Sequence, residues 1–225
     1  MPDAANPDHA DTARWRRLLA GRFIVFEGPD GSGKSTQLRR LVAFCEDHSV
    51  THTHVREPGG TPVGEAIRDV LLHRRETEML ASTEMLLYMA SRAELVAQRI
   101  RPALERDELV IADRFVSSTL AYQGSAGGVS TRDILDVARV ATAGVDPHLV
   151  VIFDVDQAAA AQRLGLLLDR MEAKGAAFHA RVREGYLQQA KTDPDRHLVI
   201  DATRSPEEVW AALLAGLDAR LGAAP

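Results

Sequence analysis

Cysteine is almost absent from this chain: Cys45 is the one thiol in 225 residues. An intrachain disulfide is therefore excluded, which fits a reducing cytoplasm rather than an oxidising compartment. Long apolar runs are missing too. None approaches the roughly 18 residues that span a bilayer. The first 20 residues carry Pro2, Asp3, Pro7, Asp8 and Asp11 where a secretory leader would be apolar. Nor is there an excess of positive charge, since 27 Lys and Arg against 32 Asp and Glu leave a net charge of −5. No global field draws such a chain to nucleic acid or to a membrane. No internal repeat or low-complexity segment stands out. What is present, 45% hydrophobic and 26% charged residues, suits a single core with a hydrated surface, and the length suits one α/β domain.

The most informative stretch is Gly28-Pro29-Asp30-Gly31-Ser32-Gly33-Lys34-Ser35, followed by Thr36. Its spacing is G-x-x-x-x-G-K-S, and it comes directly after the apolar run Phe23-Ile24-Val25-Phe26. A helix is predicted from Lys34 to His48, with Leu38, Leu41, Val42 and Cys45 on its apolar side. A buried strand leading into a glycine loop and a helix is the setting in which this loop cradles phosphates. Its backbone N–H groups face the phosphates, the lysine reaches the outer ones, and the serine hydroxyl ligates Mg²⁺. A nucleoside triphosphate is the expected ligand of Gly28 to Thr36. Asp30 is unusual there, because a carboxylate beside triphosphate oxygens is unfavourable unless it faces away. It is expected either to meet a sugar hydroxyl or the arginines of a second substrate, or simply to tighten the turn.

Beyond the loop, strand and helix patterns alternate. Thr51 to Val55 is β-prone and stops at Arg56-Glu57-Pro58-Gly59-Gly60, where proline and two glycines turn the chain. Pro62 opens a helix with Val63, Ile67, Val70 and Leu71 as its apolar positions. Ser82-Thr83-Glu84 opens a longer one, striped by Met85, Leu86, Met89, Ala93, Val96 and Ile100. Leu109 to Ala112, Leu149 to Phe153 and His197 to Ile200 read as strands. Thr131 to Ala143, Gln157 to Ala190 (interrupted near Gly175) and Pro206 to Leu221 read as helices. This predicts a five-stranded parallel sheet with helices on both faces. Ligands of such sheets bind beyond the carboxyl ends of the strands, so the loop, Arg56, Asp113, Arg114 and Asp154 should share one edge. Two guanidiniums, Arg56 and Arg114, following strand ends beside a phosphate loop would suit a phosphate dianion through forked hydrogen bonds. A second phosphate site next to a triphosphate site implies phosphoryl transfer between nucleotides.

The segments FEGPDGSGKST, REPGGTPVGEAIRDVLL, ADRFVSSTLAYQG, DRME and IDAT, in this order and spacing, resemble the thymidylate kinase family. The resemblance runs from about Phe23 to the C-terminal helix. It implies a P-loop NTPase fold of the nucleoside monophosphate kinase type with a mobile lid, an ATP- and Mg²⁺-dependent conversion of dTMP to dTDP, and a cytoplasmic homodimer without nucleic-acid or membrane partners. A single domain at 21–225 is expected, with the lid that the resemblance implies at about 160–176. The polar residues 1–20 are expected to be a partly disordered extension, frayed to about Ala13 and then a short helical lead-in through Trp15 to Leu19. Position by position, Arg56 and Arg114 resemble the ligands of the dTMP phosphate, and Asp30 the carboxylate near the sugar 3′-hydroxyl. Tyr88 resembles an aromatic that stacks on thymine, and Arg92, four residues on and thus on the same helix face, a donor to the base 4-oxygen. Thr119 matches a polar contact to the base, and Gln123 lines the same pocket. Tyr122 matches a residue crowding the sugar 2′ position. Ser35 and Asp113 are the expected metal-side residues, Asp113 orienting either Arg114 or the outer ligands of Mg²⁺.

An arginine donor suits the carbonyl of thymine or uracil and opposes the amino group of cytosine, so dCMP should be rejected strongly and dUMP only weakly. The lid departs from the family pattern, with Gly165 where another arginine is common. Arg163 and Arg170 remain, seven residues apart and on one face of a continuous helix. Arg170, in Asp169-Arg170-Met171-Glu172, is the first candidate for the charge at the transferring phosphoryl, and Arg163 the second. Alternative readings are a kinase for dUMP or another monophosphate, and a non-catalytic nucleotide switch. The N-K-x-D segment common in guanine-reading switches is lacking.

Overall fold

The computed structural model describes residues 7–73, 78–156, 159–160, 163, 171 and 174–222. Five short strands carry the apolar runs: β1 (Phe23–Glu27), β2 (His52–Arg56), β3 (Leu109–Asp113), β4 (Leu149–Asp154) and β5 (His197–Asp201). All neighbouring pairs are parallel, and the sheet order is β2-β3-β1-β4-β5. The helices are α1 (Pro7–Leu19), α2 (Lys34–Asp47), α3 (Pro62–Leu72), α4 (Ala81–Leu95), α5 (Arg101–Glu105), α6 (Val116–Thr119), α7 (Thr131–Thr142), α8 (Ala176–Thr192) and α9 (Pro206–Leu221). π-helical turns at Val96–Ile100 and Leu120–Ala126 continue α4 and α6.

Strand side chains alternate between two cores, as the period of two requires. Ile24, Phe26, Leu109, Ile111, Val151 and Phe153 point to the face covered by α1, α2 and α9. Phe23, Val25, Val110, Ala112, Val150 and Ile152 point to the face covered by the end of α4, the segment after β3, and α8. A third cluster joins Met85 and Met89 of α4 to Ile134, Ala138 and Ala141 of α7.

One feature of this arrangement differs from the sequence reading. The N-terminal helix begins at Pro7, whereas a frayed segment reaching Ala13 was expected. Trp15 and Leu19 are core residues, Trp15 packs edge-on against Phe44 at 5.1 Å between centroids, and Arg14 pairs with Asp218 of α9. Three-dimensional burial of two apolar residues thus stabilises a helix whose sequence alone is polar. The expected lid at about 160–176 lies largely outside the described residues, Arg170 and Gly165 included.

The register places the site. β1 is flanked by β3 and β4, and Phe26 lies opposite both Asp113 and Val151 while Arg56 lies opposite Asp113. The glycine loop therefore emerges at the strand ends where neighbouring connections diverge to opposite faces, the place such sheets bind ligands.

Candidate active site

The loop folds over the carboxyl end of β1. Gly28 and Gly31 have φ of 142° and 81°, and both are wedged against backbone: a Cβ would come within 2.6 Å of Phe153 O at Gly28 and 2.4 Å of Ala160 O at Gly31. Only glycine satisfies both demands. Pro29 is buried behind them. Gly33 caps α2 in the left-handed region, and no side chain caps that helix, so the N-terminus of α2 offers its backbone N–H groups and positive end to an anion. Ser32 Oγ is buried in the loop with no hydrogen-bond partner among the described residues, while Ser35 and Thr36 are exposed at the start of α2.

A cavity of about 250 Å³ opens beside the loop. Asp30, Lys34 and Ser35 line one side of it, Arg56 and Tyr88 another, and Asp113, Arg114, Thr119, Tyr122 and Gln123 a third. Ten residues expected from sequence thus converge, drawn from the phosphate loop and the start of α2, the end of β2, α4, the end of β3, and α6 with the π-helical turn after it.

Arg114 has φ of 73°, a left-handed backbone that a long side chain rarely adopts and that here turns the guanidinium into the crevice. Its Nη2 donates to Asp30 Oδ1 over 2.5 Å, and its Nη1 donates to Ser118 Oγ and Tyr186 Oη, each over 3.1 Å. Behind them Glu27, fully buried at the end of β1, accepts from Phe115 N, Ser118 N, Ser118 Oγ and Tyr186 Oη over 2.6–3.1 Å. Burial raises the Glu27 carboxyl above its ordinary range against the pull of Arg114 and these donors. Asp30 behaves oppositely. Burial pushes it up, but Arg114 and Lys34 together hold it below the usual carboxylate range. Its second oxygen accepts from Tyr122 Oη over 3.2 Å. Asp30 thus faces Arg114 across the crevice.

Three residues sit differently from their expected placement. Arg56 is not a free guanidinium: its Nη2 donates to both carboxylate oxygens of Glu65 over 2.9 Å, and its Nη1 to Pro58 O. Glu65 also accepts from Gly60 N over 2.7 Å, so the same acid fixes the glycine turn and the arginine. Asp113 donates nothing to the orientation of Arg114 by direct contact; its Oδ1 accepts from Lys34 Nζ over 2.5 Å. Arg92 is 1% exposed and lies behind the pocket wall. Its Nε and Nη2 donate to Glu57, its Nη2 also to Thr119 Oγ1, and it stacks over Phe115. Its Nη1 faces Met89 Sδ at 2.9 Å, a weak acceptor that leaves this nitrogen as the donor Arg92 can offer.

The lid arginines part company. Arg163 Nη1 donates to Ala202 O over 2.9 Å, within the Asp201-Ala202-Thr203 loop after β5, and Arg163 does not line the cavity. Arg170 lies outside the described residues.

The donor set also bears on a metal. No group of three or more His, Cys, Asp or Glu that could hold an ion is found among the described residues. Ser35 and Asp113, two hard oxygen donors lining the cavity beside Lys34, fit a small cation that arrives on phosphate oxygens and keeps much of its water.

The family profile described as thymidylate kinase matches residues 26–213. The chain belongs to the thymidylate kinase family. Among its relatives, the thymidylate kinase of Symbiobacterium thermophilum is 48% identical over 188 residues, 83% of this chain and 88% of that one. The thymidylate kinase of Deinococcus radiodurans is 46% identical over 205 residues, 87% and 98% of the two chains. The crystal structure of thymidylate kinase from Ehrlichia chaffeensis superposes with a TM-score of 0.70 at 32% identity, covering 87% of this chain and 98% of that one. In the vocabulary of that family, the five-stranded parallel sheet and P-loop are the shared frame.

Several residues of this kinase site were not anticipated from sequence. Arg68, whose Nη1 donates to Pro58 O over 2.9 Å, lines the cavity beside Arg56. Glu27, Glu57, Glu84 and Tyr186 form the buried polar layer behind it. The available signal was Glu27 itself, a charge closing an otherwise apolar strand just before the loop.

Proposed function

We infer that this chain transfers the γ-phosphoryl group of ATP to dTMP, giving dTDP and ADP on the way to dTTP. The observation that carries the reading is the contact of Asp30, inside the phosphate loop, with Arg114 on the opposite wall. That contact puts a triphosphate cradle and a second phosphate-binding arginine into one cavity. Family membership supplies the identity of the acceptor.

In this reading, the loop and the N-terminus of α2 hold the triphosphate, and Lys34 reaches its outer phosphates. Mg²⁺ is the divalent ion of choice for such a site; Ser35, with Asp113 nearby, would hold it, and it would supply neutralising charge to the phosphates. Arg114, oriented by Asp30, Ser118 and Tyr186, binds the dTMP phosphate in line with the γ-phosphoryl. Arg56 contributes from its fork on Glu65. Tyr88 stacks on the base, Thr119, Gln123 and Arg92 Nη1 read its edge, and the Tyr122 ring fills the space a ribose 2′-hydroxyl would need. No covalent intermediate is required, because positioning and electrostatic stabilisation suffice for in-line transfer.

A homodimer is proposed with it. Val63 of α3 and Leu86 of α4 are 50% and 54% exposed, an apolar surface on two helices that pack together, and light scattering after size exclusion measures the mass. No described helix is long and apolar enough to cross a membrane, and we place the enzyme in the cytoplasm. The test of function is ADP release with ATP and Mg²⁺ against dTMP, dUMP, dCMP and UMP. Turnover on dTMP well above the other three supports the reading. No acceptor-dependent turnover with any of them would replace it with a nucleotide switch.

A further inference from the structure

Glu84, in the buried polar layer at the start of α4, is 1% exposed, and the proposed mechanism gives it no role of its own. Among its contacts are two partners from distant parts of the chain. Oε1 accepts from Lys174 Nζ over 2.7 Å, and Oε2 accepts from Gln123 Nε2 over 2.9 Å. Lys174 in turn lies over the Phe178 ring at 4.9 Å, at the entrance to α8. A buried carboxylate needs such compensation, and with an ammonium on one side it can only accept on the other.

The consequence falls on Gln123, which lines the base end of the cavity. A glutamine amide can present either its oxygen or its nitrogen, and nothing intrinsic to the side chain chooses. Glu84 chooses. Because Nε2 is committed to an acceptor-only partner, Oε1 is the atom Gln123 turns toward the cavity. An acceptor there matches the N3–H of thymine and opposes the bare N3 lone pair of cytosine.

We propose that the Lys174–Glu84 ion pair sets the amide orientation of Gln123 and thereby helps the pocket select thymine over cytosine. Glu84 and Lys174 are positioning residues and touch no substrate. The inference rests on the dTMP kinase reading and adds to it a second element of base selection, independent of Arg92.

The direct test is Glu84→Gln. Lys174 has only protons to offer, so it claims the new amide's oxygen and turns its nitrogen toward Gln123. Gln123 must then flip, placing Nε2 in the cavity, where it opposes thymine N3–H and suits cytosine N3. The ratio of kcat/KM for dTMP over dCMP should fall at least about tenfold, with dCMP turnover rising in absolute terms. The exchanged pair, Glu84→Gln with Gln123→Glu, restores an acceptor to the cavity at unchanged net charge and should recover most of the ratio. Lys174 has a side chain 26% exposed, and Lys174→Met removes the ammonium that keeps the buried Glu84 carboxylate ionised; a protonated Glu84 can donate to Gln123 Oε1, so the ratio should fall in the same direction. A role confined to folding would reduce turnover on both acceptors alike and leave the ratio unmoved in all three variants, which overturns the inference. Absence of dTMP-dependent turnover in the unmodified enzyme would remove the reading beneath it; normal turnover with an unmoved ratio removes this inference alone.

Discussion

Lys34 and Asp113 are joined by a 2.5 Å contact between Nζ and Oδ1, the lysine side chain 8% exposed and the aspartate 24%. The pair links the phosphate loop to the end of β3 and points the ammonium across the cavity rather than into solvent. Triphosphate oxygens must compete with Asp113 for Lys34, so the carboxylate acts as a placeholder that keeps the charge aimed.

The first expectation follows from that pair. Lys34→Met should lower kcat by at least about 10²–10³-fold, the usual cost of losing a charged donor to the transition state. The fold should survive, because Asp113 remains open enough to water to stand alone. Affinity for dTMP, which depends on Arg114 and Arg56, should change little. Calorimetric titration with dTMP decides it, and a loss of affinity parallel to the loss of turnover would show that Lys34 has too narrow a role here.

The Asp30–Arg114 contact should be visible in the pH dependence of stability. Asp30 is held below its ordinary value of 3.8 by Arg114 and Lys34, against burial. Its folded value is therefore lower than its unfolded one. The stability it contributes is present above the unfolded value and is lost as pH falls through the folded one. Glu27 has the opposite sign: burial raises it from 4.5, so the stability tied to its protonated form is present at low pH and disappears as pH rises through the raised value. Urea unfolding of the unmodified enzyme and of Asp30→Asn, from pH 7 to about pH 3, separates the two. The gap between the curves should be constant near neutrality and close below pH 3.8. A gap that is independent of pH would mean Asp30 gains nothing from being charged.

Arg92 carries two duties that its sequence position conceals. It pairs with Glu57, and the two side chains are 1% and 3% exposed. Arg92→Leu removes a charged donor to the base, worth about 1.5–3 kcal/mol, and should cut selection of dTMP over dCMP by one or more orders of magnitude. It also strands Glu57, and breaking one side of a buried pair costs about 3–5 kcal/mol of stability. The single variant should thus melt well below the unmodified enzyme. Adding Glu57→Gln should recover much of the melting temperature and none of the selectivity. If selectivity returns with stability, Arg92 is structural only.

The difference between what was legible in the sequence and what was not has a physical origin. The strands, the glycine loop and the arginines at strand ends were readable because parallel sheets buried on both faces need continuous apolar runs, such as Leu149 to Phe153. Their ligands, in turn, must sit where those runs stop. The polar layer beneath the site was not readable. Glu27, Glu57 and Glu84 are 0%, 6% and 1% exposed; in sequence the last two look like ordinary surface acids, and only Glu27 stands out, as a charge closing an apolar strand. Their partners, Tyr186, Arg92 and Lys174, lie 159, 35 and 90 residues away, and no local period reports pairing at such separations. Arg56 was legible as a site residue, but its fork on Glu65 was not, because that acid also reads as a charge favourable to the start of α3. The chain's three tyrosines offered a clue: Tyr88 and Tyr122 line the cavity and Tyr186 supports Arg114.

The lid arginines give the last expectation. With Pro29, Asp30, Gly31 and Ser32 in the loop, the proposed mechanism gives the transferring phosphoryl Lys34 and a divalent ion but no loop arginine. Negative charge on its oxygens would then call for a further cation, expected from the lid segment. The sequence offers Arg170 and Arg163, of which Arg163 is among the described residues. Arg163 is occupied at Ala202 O, in the Asp201-Ala202-Thr203 stretch whose sequence resembles the adenine loop of the family, so its contribution should be to ATP binding. Arg163→Ala is expected to raise KM for ATP by up to about tenfold, one hydrogen bond to a charged group, and to leave kcat within a few-fold. Arg170→Ala should do the reverse. An interaction made mainly in the transition state lowers kcat and spares affinity, and arginines in this role accelerate transfer by about 10³–10⁵-fold. A loss of at least about 10²-fold in kcat is therefore expected, with ATP and dTMP affinities nearly unchanged. Were Arg170→Ala to keep near-normal kcat, alone and combined with Arg163→Ala, Arg114 would be the next candidate among the arginines lining the cavity. Arg114→Lys, which keeps charge but loses the fork, would then be the variant in which kcat collapses.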